Sequence, residues 1–460
     1  MRWINGISLV DGPLPLLVKV LCAVAVVFLL ARRSVRWWLF ALVTAVAAYL
    51  ISMIGCWAVI HVFFWWPEDL SFDVVINLAL LLWAVIMGGT TAFAGLRRRT
   101  PDVPGAFPDE RHGKSARRRP AATPVERRVL AAVATLVVCA FVGVHINANF
   151  GLYPTVGTLT ADPVVAVRGA LPQLEKSSDT QFMKTPVSAR WNAPDGLPAS
   201  GKVMSEPIPG TLSGFTARNA VVYLPPAYFS AKRPLLPVLV LVSGQPGAPT
   251  SWLSTTKLIA DLDSYADRHG GLAPLVVIPD PNGSTSANTM CLNSRIAQAD
   301  TYMAEDVPNW IKTHLNVDSN PAHWAVGGFS FGGTCAVQMV TRHPEVYRSF
   351  MAISPEREPA LAVERSITIS RAFGGDEAAF DAQVPLVLLA RNQYPTVHGW
   401  FASGSGDTLY SANVKVLHAA ARKASMITES ASFPGGHSWT VANEALPHGL
   451  AFMYAAMGLP

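Results

Sequence analysis

The run Gly327-Gly328-Phe329-Ser330-Phe331-Gly332-Gly333 holds one serine between glycines. It is preceded by His323-Trp324-Ala325-Val326 and followed by Thr334-Cys335-Ala336-Val337-Gln338-Met339-Val340, a series with helical composition. A strand that enters a G-x-S-x-G core and leaves it as a helix describes a nucleophile elbow, whose strained turn exposes the serine hydroxyl. Side chains two residues to either side of the serine would collide with the strand and helix backbones, so glycine is required there. Ser330 is the candidate nucleophile.

If the fold is an α/β-hydrolase, the acid and then the histidine must follow the serine. Ser432-Phe433-Pro434-Gly435-Gly436-His437-Ser438-Trp439 sets one histidine in a glycine-rich turn before a helical segment, and His437 is the candidate general base. His343, His398, His418 and His448 lack such a turn and are weaker candidates. The strand expected at Val397 to Ser403 runs into Gly404-Ser405-Gly406-Asp407, where a carboxylate could accept the Nδ1 proton of His437 and hold its tautomer. Asp407 is the candidate acid, with a helix cap near Thr408 as the alternative reading. Asp376 and Asp381 compete, but they precede the apolar run Val384 to Leu389, read as a strand, and would sit at its wrong end. An oxyanion hole needs the N–H of the residue after the nucleophile, Phe331, and a second N–H from the loop after an early strand. That loop is Ser243-Gly244-Gln245-Pro246-Gly247, and Gln245 is the expected donor because Pro246 has no N–H.

With these pieces in place, residues 206 to 460 resemble the esterase family of α/β-hydrolases that includes esterase D-type enzymes and the mycolyltransferases of actinobacteria. The matching segments are Val221-Val222-Tyr223-Leu224-Pro225-Pro226-Ala227-Tyr228, the Ser243-Gly244 loop ending in Trp252, Glu305-Asp306-Val307-Pro308-Asn309-Trp310-Ile311, the Ser330 elbow and His437-Ser438-Trp439. The resemblance implies ester hydrolysis or acyl transfer through an acyl-serine, chemistry that needs no cofactor. Mycolyltransferases resemble this sequence around His437 but generally use a glutamate acid. An aspartate here points to hydrolysis rather than transfer to a sugar.

The elements that position these residues follow from alternation along the chain. Val221 to Leu224, Val238 to Val242, Leu275 to Ile278, Trp324 to Phe329, Phe350 to Ile353, Val384 to Leu389 and Trp400 to Ser403 read as strands. Thr301 to Leu315, Thr334 to Arg342 and Ser411 to Lys423 read as helices between them. The expected fold is therefore α/β, a mostly parallel sheet covered on both faces with the site at the carboxyl ends of its strands. Trp252, Phe331, Trp400 and Trp439 are candidates either for an acyl pocket or for the core.

The front of the chain is different. The 460 residues are 50% hydrophobic and only 15% charged, too apolar for a purely soluble enzyme. The excess lies in Leu14 to Ala31, Trp37 to Ile60, Val74 to Leu96 and Leu130 to Ile146, each near the length that crosses a bilayer. Arg32, Arg33 and Arg36 lie between the first two runs, and residues 97–128 carry ten basic against four acidic residues. Trp66-Pro67-Glu68-Asp69-Leu70, between the second and third, has no basic residue. Basic loops stay in the cytoplasm, so both termini and the catalytic domain are expected outside it. The net charge of +5 is accounted for by the basic third connection, which excludes a nucleic-acid-binding face as the source of the high pI.

The expected organisation is a membrane anchor over 1–147, an extended linker with a few edge strands over 148–205, and the hydrolase over 206–460. Cys22, Cys56 and Cys139 fall in the spans. Cys291 and Cys335 are the two beyond them, an even number in an oxidising compartment, which suggests a disulfide against the alternative of two buried thiols. No metal-ligand cluster, P-loop or dinucleotide fingerprint occurs. Three functions remain: an anchored esterase acting on an envelope lipid ester such as an acylated glycolipid or aminoacyl-phospholipid, an acyltransferase with the same intermediate, and a non-catalytic scaffold. The intact serine, acid and histidine set disfavours the last.

Overall fold

The computed structural model describes residues 2–32, 34–63, 68, 70–93, 124–160, 171, 187–189 and 191–460. Arg33, Trp66, Pro67, Asp69, most of the basic connection 97–128 and much of the segment 148–205 lie outside the described residues. Two compact units emerge, one of Ile7–Val62 with Asp69–Ala148, the other of Asn149–Pro460 with Met1–Gly6 and Phe63–Glu68.

In the first unit four helices, α1 Pro13–Leu30, α2 Val35–His61, α3 Phe72–Phe93 and α4 Pro124–Phe150, are long and apolar enough to cross a membrane. Small residues set their contacts. Ala25, Ala41, Ala48, Ala84 and Ala134 are buried with Leu29, Trp83 and Met87, and the indole N–H of Trp83 donates to the carbonyl of Ala41 across α2 and α3. Small side chains let helix backbones approach closely, the packing mode available where lipid supplies no hydrophobic drive between helices.

The second unit is built on an eight-stranded sheet of order β1-β2-β4-β3-β5-β6-β7-β8. The strands are β1 Lys202–Glu206, β2 Ala220–Leu224, β3 Val238–Val242, β4 Leu275–Ile278, β5 Trp324–Phe329, β6 Ser349–Ile353, β7 His398–Gly404 and β8 Ile427–Phe433. β1 and β2 pair antiparallel, as do β2 and β4, and every other neighbouring pair is parallel. β2 to β6 are buried along their whole length, as central strands covered on both faces must be. The helices that matter to the site are α5 Val307–His314, α6 Phe331–Arg342, α7 Pro385–Arg391, α8 Thr408–Lys423 and α9 Trp439–Ala456. α6 packs on β3, β5 and β6, and α9 on β6, β7 and β8.

Two expectations for the sheet are corrected. The run Val384 to Leu389 is not a strand but part of α7. Pro385 occupies its first turn, where a missing N–H costs nothing, and burial recurs at Pro385 and Leu389, four residues apart, which is a helical repeat. Beside β7 the structure instead has β8, whose Ile427-Thr428-Glu429-Ser430-Ala431-Ser432-Phe433 is too polar and exposed to read as core. β1 falls at the end of the segment expected to carry edge strands, and it does form the sheet edge.

Candidate active site

β5 delivers Ser330 to the carboxyl end of the sheet, and α6 begins on the next residue. Ser330 has φ 56°, a left-handed conformation that non-glycine residues rarely adopt, held by its N–H donating to the Ile353 carbonyl at 2.8 Å. The flanking glycines follow sterically. A Cβ on Gly328 would fall on the Gly332 backbone, and one on Gly332 would strike the Val242 carbonyl oxygen, so no larger residue fits.

From the far side of the sheet, the turn after β8 brings His437 to the serine, with Nε2 2.8 Å from the Ser330 Oγ. The other ring nitrogen, Nδ1, lies 3.0 Å from Asp407 Oδ2. Asp407 stands in the bend between β7 and α8, buried, and its second oxygen accepts the Tyr410 N–H at the head of α8. One carboxylate thus serves both as helix cap and as partner of the imidazole, the two roles weighed against each other in the sequence. Aromatic rings hold the imidazole in plane: Tyr410 stacks on it with centroids 3.9 Å apart and Phe329 at 5.0 Å.

The Ser243 to Gly247 loop passes beside Ser330, with Gly244 packed against the Phe329 carbonyl and the Ser330 Cβ. Gln245 lies in this loop, with a cis peptide to Pro246 and its side-chain amide donating to the Ser286 carbonyl at 3.0 Å. Arg218 ties the loop down: its guanidinium donates to the Gly247 carbonyl at 2.9 Å, to Thr285 Oγ1 at 3.1 Å and to buried Asp280 at 2.6 Å through Nε. Phe331 is the first residue of α6, where a backbone N–H has no partner within the helix. Phe331, Ser243, Gly244 and Gly247 line one small cleft with Pro281 and Asn282.

A disulfide joins Cys291 to Cys335, one turn into α6, with Cα atoms 5.5 Å apart. The Gln338 amide donates to the Met290 carbonyl beside it at 3.0 Å, so the loop before Cys291 is fastened twice to the helix that carries the serine.

The competing residues are elsewhere. Asp376 caps a short helix by accepting from the Ala379 N–H, and Asp381 pairs with Arg365. His343 binds Asp300, while His418 and His448 pack on Phe401 and Phe433. Trp252, Trp400 and Trp439 are core residues rather than an open acyl pocket, Trp252 standing edge-on to Trp439. Asp306, in the Glu305-Asp306-Val307 segment, is an anchor: its carboxylate accepts from the backbone N–H groups of Leu212 and Ser213 and from the Ser213 hydroxyl.

Two carboxyls near the site escaped the sequence reading. Glu356, three residues beyond β6, donates its backbone N–H to Thr334 Oγ1 in the first turn of α6 at 2.9 Å, and burial holds its carboxyl pKa well above the ordinary range, with Glu68 raising it further. Glu68 is pushed up to about 7 by burial, the nearby His437 opposing the shift and Asp407 reinforcing it. A carboxylate at the end of β6 could have been sought from its neighbour strand's role. Glu68 carried no such signal.

The sequence model of the family described as "Putative esterase" matches residues 216–453. The chain belongs to this esterase family. Its members are serine hydrolases of carboxylic esters. An uncharacterized protein of Corynebacterium glutamicum is 34% identical over 329 residues, 69% of this chain and 74% of the relative. A ferulic acid esterase structure has 17% identity, covers 56% of this chain and 99% of its own, and superposes with a TM-score of 0.49. An S-formylglutathione hydrolase from Agrobacterium tumefaciens has 17% identity, 56% and 97% coverage and a TM-score of 0.47.

Proposed function

We propose that this esterase is anchored by its four apolar helices, faces away from the cytoplasm and hydrolyses acyl esters of envelope lipids through Ser330, His437 and Asp407. The observation that carries the reading is the unbroken hydrogen-bonded row from Asp407 through His437 to Ser330 at a strained elbow. In this mechanism His437 Nε2 takes the proton of Ser330 as Oγ attacks the ester carbonyl carbon. The tetrahedral oxyanion is met by the backbone N–H groups of Phe331 and Gln245. The ester C–O bond then breaks, and the alcohol leaves with the proton from His437. Water, deprotonated by the same imidazole, attacks the acyl-serine and releases the acid. Asp407 keeps Nδ1 protonated throughout and stabilises the imidazolium without taking its proton.

The domain limits in this reading are 1–147 for the anchor, 148–205 for the linker and 206–460 for the hydrolase. The basic residues at 32–36 and 97–128 support a cytoplasmic position for the first and third connections, and an outer-leaflet lipid is the ester that an anchored, outward-facing hydrolase meets first. The test is Ser330→Ala in the full chain, assayed on a short activated ester. The expected loss is about 10⁴-fold or more, since only binding and the oxyanion donors remain. Near-wild-type turnover in the purified variant overturns the assignment.

A further inference from the structure

The catalytic unit exposes its large apolar side chains unevenly. Among the described residues of 191–460, five such side chains are exposed: Leu212, Ile296, Val363, Leu409 and Ile427. β2 runs opposite to β4, so the connection from β1 to β2, which holds Leu212, opens at the end where β4 finishes. Ile296 follows β4, Val363 follows β6, and Leu409 follows β7 two residues after Asp407. All four therefore belong to the carboxyl end of the sheet, which carries Ser330, His437 and Asp407. Ile427 alone, at the start of β8, lies at the opposite end. Single exposed apolar residues need no explanation, but their collection at the end that holds the triad calls for an apolar neighbour.

The path of the chain identifies that neighbour. The apolar stretch Val125–Phe150 of α4 is 26 residues long, about 39 Å of helix, close to the roughly 40–45 Å of a bilayer with its headgroups. Gly151, the next residue, ends the helix in the left-handed conformation of a C-terminal glycine, with φ 68°. It is buried against the first turn of α9, where a Cβ would lie 2.9 Å from the Thr440 backbone nitrogen and 3.4 Å from that of Trp439. Conformation and contact both demand glycine. His437 precedes Trp439 by two residues, so the chain leaves its last apolar helix within on the order of 15 Å of the catalytic imidazole. Leu152 and Tyr153, directly after the glycine, are exposed as well. Exposed apolar side chains thus begin where the helix stops and recur at the triad end of the sheet.

We infer that the carboxyl end of the sheet is a lipid-binding face, with Leu212, Ile296, Val363 and Leu409 set into the headgroup layer of the membrane that α4 crosses, so that Ser330 opens onto the leaflet surface. The inference rests on the anchored-hydrolase reading above and adds the face through which the enzyme meets its substrate. A bilayer is favoured over a second copy or a protein partner because the one-residue link at Gly151 holds the triad end at the place where α4 leaves the bilayer. An ester whose acyl chain stays in the leaflet then reaches Ser330 without full extraction into water, a step that every methylene makes more costly.

The experiment uses the full chain with Cys22, Cys56 and Cys139 replaced by alanine, so that a bimane label attaches only to a cysteine introduced by Leu212→Cys, Val363→Cys or Ile427→Cys. Cys291 and Cys335 are paired and buried. In phosphatidylcholine vesicles, lipids brominated on their chains should quench the labels at positions 212 and 363 and leave the label at 427 bright. No quenching at 212 and 363, or equal quenching at all three, overturns the inference. Blue-shifted but unquenched labels at 212 and 363 would mean that protein, a second copy or a partner, covers this face, and overturn it equally. Activity supplies an independent arm. Leu212→Glu and Val363→Glu should each lower turnover of vesicle-held 4-methylumbelliferyl palmitate by about tenfold, the loss expected when one such side chain leaves an apolar surface. Turnover of water-soluble 4-methylumbelliferyl acetate should stay unchanged, and Ile427→Glu should affect neither ester. Parallel losses on both esters would make Leu212 and Val363 structural and overturn the lipid face. Should Ser330→Ala cleave both esters as fast as the wild type, the hydrolase reading fails, while the quenching still decides where the unit meets the membrane.

Discussion

The two units of this chain are built from similar apolar residues and treat them in opposite ways. In the catalytic unit β3 reads Val238-Leu239-Val240-Leu241-Val242, and all five side chains have no solvent exposure. In α1 Val24 and Val27 are 61% and 65% exposed, and α2 leaves Leu42, Val43 and Ile54 at 60% or more. A water-soluble unit cannot leave so much contiguous apolar surface bare. The second unit buries its apolar side chains in protein, and the first leaves them exposed on helices long and apolar enough to cross a bilayer. Within the first unit α3 is the inner helix, with 39% of its most apolar stretch buried against 17% for α1 and α2. Cysteines divide along the same line: Cys22, Cys56 and Cys139 are free, while Cys291 and Cys335 are paired. Polar groups divide likewise, because hydrogen-bonded networks around Asp280, Asp300, Asp306 and Asp407 all belong to the catalytic unit.

The largest expected effect tests whether the polar side of this contrast is chemical as well as structural. Asp407→Asn keeps the volume but would leave the imidazole in the wrong tautomer, so turnover should fall by roughly 10²- to 10⁴-fold. The amide oxygen can still accept from the Tyr410 N–H, so α8 should keep its cap and the melting temperature should change little. A large loss of stability with only a mild loss of turnover would make Asp407 a cap alone.

A smaller effect sharpens the contrast itself. Val46, near the middle of α2, and Ile427, at the start of β8, are each 52% exposed. If the two surfaces face different solvents, the same aspartate substitution must have different consequences. Val46→Asp should cost about 2.5–3.5 kcal/mol of insertion free energy and lower the membrane-inserted yield. Ile427→Asp should change the unfolding free energy of the catalytic unit by under about 1 kcal/mol. Equal tolerance at both positions, measured by membrane fractionation and thermal melts, would remove the bilayer from the picture.

How far the sequence exposes the site depends on whether a residue's constraint is local. The elbow is legible because its glycines are demanded by contacts within a few residues, Gly328 against Gly332. The four apolar helices are legible because length and hydropathy alone set them. α7 was misread because a short apolar run fits either a buried strand or a buried helix, and only packing decides. β8 was missed because an edge strand with exposed Glu429 and Ser430 has no core pattern to reveal it. Tyr410, Glu356 and Glu68 have no local signature at all. Tyr410 comes to His437 from the head of α8, across the sheet edge from the turn after β8, and that meeting is a property of topology.

The smallest effect concerns the ion pair at the base of α6. Burial alone would depress the His343 pKa, but the hydrogen bond and charge of Asp300 outweigh it, with Arg342 opposing and Glu345 assisting, so His343 is raised above 6.5. Burial would likewise raise Asp300, but His343 and Arg342 overcome it and hold the carboxyl below its ordinary value. The raised imidazole contributes stability that is complete below pH 6.5 and disappears as pH climbs through its folded pKa. The depressed carboxyl contributes stability that is present above about pH 3.8 and disappears only as pH falls through its lower folded pKa. The pair is therefore at full strength in mildly acid solution. His343→Gln should lower the stability of the catalytic unit by about 1 kcal/mol at pH 5.5, and the gap to wild type should narrow by pH 9. Thermal melts of the full chain at the two pH values check this. An equal gap at both would mean that His343 acts through packing and a neutral hydrogen bond, and that the charge on the imidazole contributes nothing.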